Sequence, residues 1–282
     1  MCLFIEGAST GIDPHSLHEQ LAGMIKPYYI PVGKEEAFFT AAYKQQLSVL
    51  LKGPTGVGKS RFVEHMAQQL GRPLITVACH EDLTAADLVG RYILKGNETV
   101  WQDGPLTQAV KQGAICYLDE VVEARSDTVV VLHPLTDHRR ELNIERLGEC
   151  LKAPPEFMVV LSYNPGYQTL LKDLKASTRQ RMVAMDFDFP PAQVEKRILE
   201  EIYDIGPELT DKLVRLAAVM RRLDAPGLSE VASTRALVAT GKLVREGMSP
   251  RDAGVAAMAS ALSDDPEVIQ GLTGLIEEYL GD

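Results

Sequence analysis

Residues 53–60 read Gly53-Pro54-Thr55-Gly56-Val57-Gly58-Lys59-Ser60, a complete G-x-x-x-x-G-K-[ST]. The octet follows directly on an apolar run, Leu47-Ser48-Val49-Leu50-Leu51. It opens a segment with helical spacing, Arg61-Phe62-Val63-Glu64-His65-Met66-Ala67. Strand, glycine loop and helix in that order are the context in which this motif cradles phosphate. The glycines let successive backbone N–H groups turn inward around phosphate oxygens, and the helix start adds the positive end of its dipole. In such a loop Lys59 reaches the β- and γ-phosphates of a nucleotide, and the Ser60 hydroxyl ligates Mg²⁺.

Working outward, short apolar runs recur at Leu74–Ala78, Ala114–Leu118, Phe157–Ser162 and Met182–Phe187. Such runs are the signature of strands buried on both faces. With helical spacing between them they predict βαβ units, hence an α/β fold with a five-stranded parallel sheet. Residues 1–33 are irregular and read as an N-terminal arm, and 34–190 as the nucleotide-binding domain, beginning with a helix over 34–45. Pro190-Pro191 can continue neither strand nor helix and marks a boundary. The amphipathic segments 191–204, 208–223, 231–246, 250–261 and 265–280 predict an all-α domain over 191–282. Two insertions read as hairpins: Gly90–Pro105, with Gly96-Asn97 in its turn, and the polar stretch Arg139–Glu149. Trp101 in the first reads either as part of a satellite cluster or as part of a loop that touches a protein substrate.

Further chemistry clusters at strand ends. Ala114-Ile115-Cys116-Tyr117-Leu118 ends in Asp119-Glu120, and the carboxyl ends of parallel strands open into the ligand crevice. Asp119 there is placed to hold Mg²⁺ through water, and Glu120 to orient and deprotonate an attacking water. Phe157–Tyr163 ends in Asn164-Pro165-Gly166, where an amide can reach both the γ-phosphate and the water, or merely open a turn. Arg179 and Arg181 offer cations for a phosphoryl transition state, or simply complement a helix end. In Ser233-Thr234-Arg235, Ser233 or Thr234 caps a helix while Arg235 reaches the phosphates, unless that arginine is incidental. A P-loop kinase for a small molecule, and a nucleotide-gated module without turnover, remain open on these residues alone.

Composition narrows the classes. Of 282 residues, 45% are apolar and 24% charged, the balance of a globular protein rather than a disordered one. Lys plus Arg number 29 against 39 for Asp plus Glu, and a net charge of −10 argues against a nucleic-acid partner. No run approaches a membrane span, and Met1–Glu6 lacks the basic and apolar regions of a secretion signal, so membrane insertion is not expected. Cys2, Cys79, Cys116 and Cys150 are too dispersed for a metal cluster and read as reduced thiols of a cytoplasmic protein. The six histidines form no H-E-x-x-H, and His133 and His138 read as surface or satisfied core residues.

Taken together, the Gly53–Ser60 loop, the Leu118-Asp119-Glu120 acid pair, Asn164 as first sensor, Arg179/Arg181 as fingers and Arg235 as second sensor resemble an AAA+ ATPase with a helical lid. The two hairpins and Asp103-Gly104-Pro105-Leu106 resemble the MoxR branch. Tyr28-Tyr29-Ile30-Pro31, Leu51-Lys52-Gly53-Pro54-Thr55-Gly56 and Asp87-Leu88-Val89-Gly90-Arg91-Tyr92 resemble the CbbQ/NirQ/NorQ family. The likeness runs from about residue 25 to the end; Met182 departs from an aromatic often found there. It implies a homo-oligomeric ring, usually a hexamer, with ATP between subunits and Arg179 or Arg181 acting on the neighbour's γ-phosphate. It also implies a partner bearing a von Willebrand factor A domain and a protein client. Members of the CbbQ kind remodel inhibited Rubisco with CbbO, while NorQ and NirQ assist maturation of nitric oxide reductase with NorD. Rubisco is the expected client, with carboxysome association as its accompaniment.

Overall fold

Helix α1 (Glu35–Lys44) buries Phe39 and Ala42 and leads into strand β1 (Ser48–Lys52). The computed structural model describes residues 29–165, 174–223 and 231–281. Most of the expected arm, with Cys2, and also Gly166 and Asp282, lies outside the described residues. After β1 come α2 (Lys59–Gln69), β2 (Leu74–Ala78), α3 (Ala85–Val89), the hairpin β3 (Gly90–Lys95) and β4 (Glu98–Asp103), then α4 (Pro105–Gln112). β5 (Ile115–Asp119) is followed by a 3₁₀ turn (Val121–Glu123), α5 (Ser126–Val130) and a second 3₁₀ turn (His133–Leu135). A second hairpin, β6 (Glu141–Ile144) and β7 (Glu149–Lys152), precedes β8 (Met158–Tyr163), α6 (Ala176–Arg179) and β9 (Met182–Asp186).

Five strands form one parallel sheet in the order β2-β5-β8-β1-β9. The near-continuous apolar runs are explained by side-chain alternation. Val49 and Leu51 enter one core cluster and Leu50 the other; Ile115 and Tyr117 face Phe62 and Met66 of α2, while Cys116 and Leu118 face Leu106 and Ala109 of α4. The expectation of burial on both faces fails at the two sheet edges. Among β2 and β9 only Val77 and Met185 are buried, because an edge strand has a neighbour on one side alone.

The first hairpin forms as expected, with Tyr92 opposite Trp101 and their rings edge-to-face at 5.2 Å. Trp101 packs against the main cluster, whereas Tyr92 is half-exposed and Leu94 is 79% exposed. The second hairpin is shifted towards the C-terminus relative to Arg139–Glu149. Arg140 takes a left-handed conformation (φ 51°) before it, and its guanidinium donates to the carbonyls of Gln46, Pro154 and Phe157. Those three bonds make the Arg140 side chain a brace between the hairpin and the loops at Gln46 and Pro154–Phe157, while its carbonyl extends the hairpin by accepting from the Ala153 N–H.

Beyond Pro191 every described element is helical: α7 (Ala192–Arg197), α8 (Pro207–Met220), α9 (Thr234–Arg245), α10 (Pro250–Gly254), α11 (Ser260–Leu262) and α12 (Pro266–Leu280). The segments 191–204 and 250–261 are not continuous α-helices, since π turns interrupt them at Ile198–Ile202 and Val255–Ala259. Leu213, Leu216, Met220, Leu237, Met258 and Ile276 form a separate core cluster. We propose the unit boundary at Pro190-Pro191 on that separation.

One polar knot lies inside the helical region. Glu195, 1% exposed, accepts two bonds from Arg221 (2.7 and 2.9 Å) and one from the Thr234 hydroxyl (2.7 Å). Arg221 also donates to the Ala232 carbonyl and lies 4.0 Å over the Phe189 ring. A buried carboxylate left without its cation is strongly unfavourable. Arg221→Met is therefore expected to lower unfolding stability by about 3 kcal/mol, measured by denaturant titration, and an unchanged midpoint would refute this account of the knot.

Candidate active site at the C-terminal edge of the sheet

The loop between β1 and α2 crosses the carboxyl ends of the strands, and the parallel order puts β8 and then β5 on one side of β1 and β9 on the other. Gly53 has no room for a side chain, because an added Cβ would sit 2.2 Å from the Phe187 carbonyl oxygen. Gly56 and Gly58 adopt positive φ of 77° and 100°, which favours glycine. No side chain caps the start of α2 at Gly58, which leaves the helix's first N–H groups without a side-chain cap beside the loop. Lys59 is buried and donates to the carbonyls of Gly53 (2.7 Å) and Pro54 (3.0 Å). Burial lowers its pKa, with the Arg235 charge acting in the same direction and Glu120 and Asp119 opposing it.

Asp119 and Glu120 end β5 beside this loop. Asp119 Oδ2 accepts from the Ser60 hydroxyl (3.2 Å), and Oδ1 accepts from Tyr117 (2.6 Å) and Ser162 (2.5 Å). The backbone N–H of Glu120 donates to the Ser162 hydroxyl oxygen (3.1 Å). Glu120 is left-handed (φ 52°, ψ 52°), an uncommon conformation for a non-glycine residue that turns its carboxyl away from the strand direction. Burial raises its pKa most, countered by Lys59 and by a bond from the Asn164 backbone N–H, and reinforced by Asp119. Asn164 is buried, and its amide approaches the Thr55 hydroxyl at 3.4 Å. Loop, acid pair and strand-end amide thus meet.

The helical region closes the other wall. Ser233, rather than Thr234, is the cap of α9, accepting from the Ala236 N–H at 3.3 Å. It lies so close to the loop that a Cβ on Gly56 would stand 2.6 Å from the Ser233 Cβ. Arg235, one residue into the helix, lines the same cleft of about 1050 Å³ as Lys59, Asp119 and Glu120. Arg179 and Arg181 do not line it. Arg179 is exposed at the end of α6, and Arg181 donates to the Ser177 carbonyl on the same short helix.

Tyr117 and Ser162 are functional neighbours that sequence reasoning missed. Both sit inside apolar strand runs, and the signal was parity. Tyr117 is two residues before Asp119, hence on the same face of β5, and Ser162 lies on the facing side of neighbouring β8. Cys79 and Cys116 are buried, and burial pushes both thiols up to about 12; Cys150 is exposed and unpaired. No helix among the described residues is long and apolar enough to cross a membrane.

Comparison with known proteins agrees with this geometry. Residues 48–182 match the AAA domain (dynein-related subfamily), and residues 195–279 match the CbbQ/NirQ/NorQ C-terminal region. The chain is 58% identical to protein NorQ of Paracoccus denitrificans, over 90% of this chain and 94% of the relative. It is 56% identical to the denitrification regulatory protein NirQ of Stutzerimonas stutzeri, over 90% and 93%. With protein CbbQ of Hydrogenophilus thermoluteolus the identity is 54%, over 89% and 94%. In fold it is similar to a RuvB variant of Thermotoga maritima, at a TM-score of 0.53 and 14% identity over 87% of this chain and 71% of that one. The three near relatives stand within a few per cent of one another, so the expectation of Rubisco in particular is not favoured by similarity. The chain belongs to the CbbQ/NirQ/NorQ family of MoxR-like AAA+ proteins, and it is an ATPase.

Proposed function

We propose that this ATPase drives a chaperone-like motor, a homo-oligomeric ring that remodels a protein client together with a von Willebrand factor A-domain partner. The observation that carries the catalytic half is the meeting of Lys59, Ser60, Asp119, Glu120 and Asn164 around one loop mouth. ATP phosphates are held by the loop N–H groups and Lys59, and the Ser60 hydroxyl and Asp119 carboxylate fit a hard, oxygen-liking Mg²⁺. That ion supplies charge neutralisation at the phosphates when bound. Glu120 takes a proton from the attacking water, Asn164 holds the water's other side, and Arg235 adds a cation from the helical wall. Tyr117 and Ser162 keep Asp119 aimed, each by one short bond.

Arg179 and Arg181 do not line their own cleft, which supports a role at a neighbour's phosphates. The half-exposed Tyr92 and exposed Leu94 support the hairpin β3–β4 as a client-contacting element. Rubisco and nitric oxide reductase are both client candidates through the family, and carboxysome association would accompany only the first.

Glu120→Gln should bind ATP normally and hydrolyse it about 10²–10⁴-fold more slowly, whereas Lys59→Ala should lose binding itself; equilibrium binding and turnover separate the two. Because the base works deprotonated and its pKa is raised, wild-type turnover should fall on acidification at a pH above the ordinary glutamate range. Normal turnover in Glu120→Gln would overturn the assignment of the base. In a ring, the rate per subunit should climb with protein concentration and drop by about 10³ in Arg179→Ala or Arg181→Ala. A concentration-independent rate surviving both substitutions would favour a monomeric P-loop kinase instead. Co-purification of Glu120→Gln with Rubisco or with nitric oxide reductase, in the presence of ATP, should retain one client, and retention of neither would refute both.

A further inference from the structure

His133 makes a contact that the reaction scheme above does not use. Its Nε2 lies 2.9 Å from the hydroxyl of Thr178, which is 2% exposed in the middle of α6. α6 has only four residues and carries Arg179 at its end, with Arg181 two residues on. The helix is too short to hold itself and depends on its surroundings for position. On the other side, His133 sits on the segment that leaves the active site. Glu120 turns left-handed into the 3₁₀ turn Val121–Glu123, then α5, then the turn that His133 begins.

That segment is anchored at several points, although Arg125, Asp127 and Val130 are exposed. Val121, Val129, Leu132 and Leu135 are buried in the same cluster as Leu118 and Leu174, which lies two residues before the start of α6 at Ala176. The Thr128 hydroxyl donates to the Leu83 carbonyl at 2.8 Å, and the His133 carbonyl accepts from Thr136. Burial, together with the charges of Arg181 and Lys175, holds the imidazole below the ordinary histidine range and therefore neutral. A neutral ring offers one nitrogen to the threonine hydroxyl without adding a third cation to the two arginines.

We propose that His133 is a positioning residue that sets helix α6 through Thr178, tying the segment behind Glu120 of one subunit to the arginines it presents to the next. The bond makes α6 a lever whose fixed point moves with the acid pair's own backbone. The site that senses a subunit's nucleotide and the arginines that act on its neighbour's are thereby one mechanical unit. This inference rests on the reading that Arg179 or Arg181 acts across a subunit boundary.

The test is a mixing experiment. His133→Leu and Thr178→Val should each lower turnover about fivefold in uniform rings, the loss expected of one ordering hydrogen bond. His133→Gln, which keeps a polar atom in reach, should stay near wild type and shows that loss of packing is not the cause. Each variant, and the wild type, is then assembled with an excess of Glu120→Gln subunits, which cannot hydrolyse ATP but carry an intact α6. Most hydrolysing subunits then face a neighbour with normal arginines, so the ratio of His133→Leu to wild-type turnover should rise from about one-fifth towards one. A ratio that stays at one-fifth means that His133 acts on its own subunit's site and overturns the proposal. Arg179→Ala and Arg181→Ala are mixed in the same way. If neither regains activity, the cross-subunit reading itself fails and takes the proposal with it. If one of them regains it while His133→Leu does not, only the proposal fails. Wild-type turnover of His133→Leu in uniform rings would also overturn it.

Discussion

The Asp119 carboxylate gathers three hydroxyl protons, from Ser60, Tyr117 and Ser162, and the geometry of the site follows from that convergence. The three donors come from three elements, helix α2, β5 itself and β8, so the carboxylate can be satisfied only if sheet order and register are correct. A carboxylate at a half-buried strand end is costly without such partners. The same convergence fixes where the chain may turn. The Glu120 N–H is drawn to Ser162, which accompanies the left-handed turn that sends the Glu120 side chain towards Lys59 and Asn164. The two acids, and with them the proposed metal-holding and base roles, are therefore separated by one peptide unit that is held from both sides.

Much of this was legible in the residues. The octet Gly53–Ser60 announces itself because its backbone geometry demands glycine at fixed spacing, and the strands announce themselves because burial on both faces leaves no room for polar interruption. Three central strands obey that rule closely, and the two edges do not. The edges could not be told apart from the centre, since strand order is a property of the whole sheet and not of any run. Tyr117 and Ser162 escaped for a related reason. Each looks like a tolerated polar residue in an apolar strand until the pairing of β5 with β8 brings both to Asp119. The π turns in the helical region and the shift of the second hairpin depend on packing and on the brace made by Arg140, which no local pattern encodes. Arg179 and Arg181 were recognisable as chemistry, yet that they do not line their own cleft becomes visible only with the fold.

The helical region has an apolar core of its own, separate from the two that pack on the sheet, and a polar knot ties its helices together. Glu195, Arg221 and Thr234 lock α7, α8 and α9 to one another, and the Phe189 ring under Arg221 joins the stretch after β9 to that knot. Thr234 and Arg235 are adjacent, so the residue that seals the knot stands next to the one that faces the cleft. Arg235 and Lys242 both line the cleft from α9, so a rotation of the helical unit would change the charge near the phosphates.

Gly56 belongs to two surfaces at once. Its backbone conformation shapes the phosphate loop, and its missing side chain lets Ser233 at the head of α9 rest directly on that loop. The floor of the nucleotide site and the underside of the helical wall are consequently the same few atoms thick. Any lifting of that wall would therefore pull on the loop itself, coupling the loop's shape to the position of α9. Strain at one face of Gly56 would then be felt at the other, so a residue with no side chain is the point where two units of the chain press on each other.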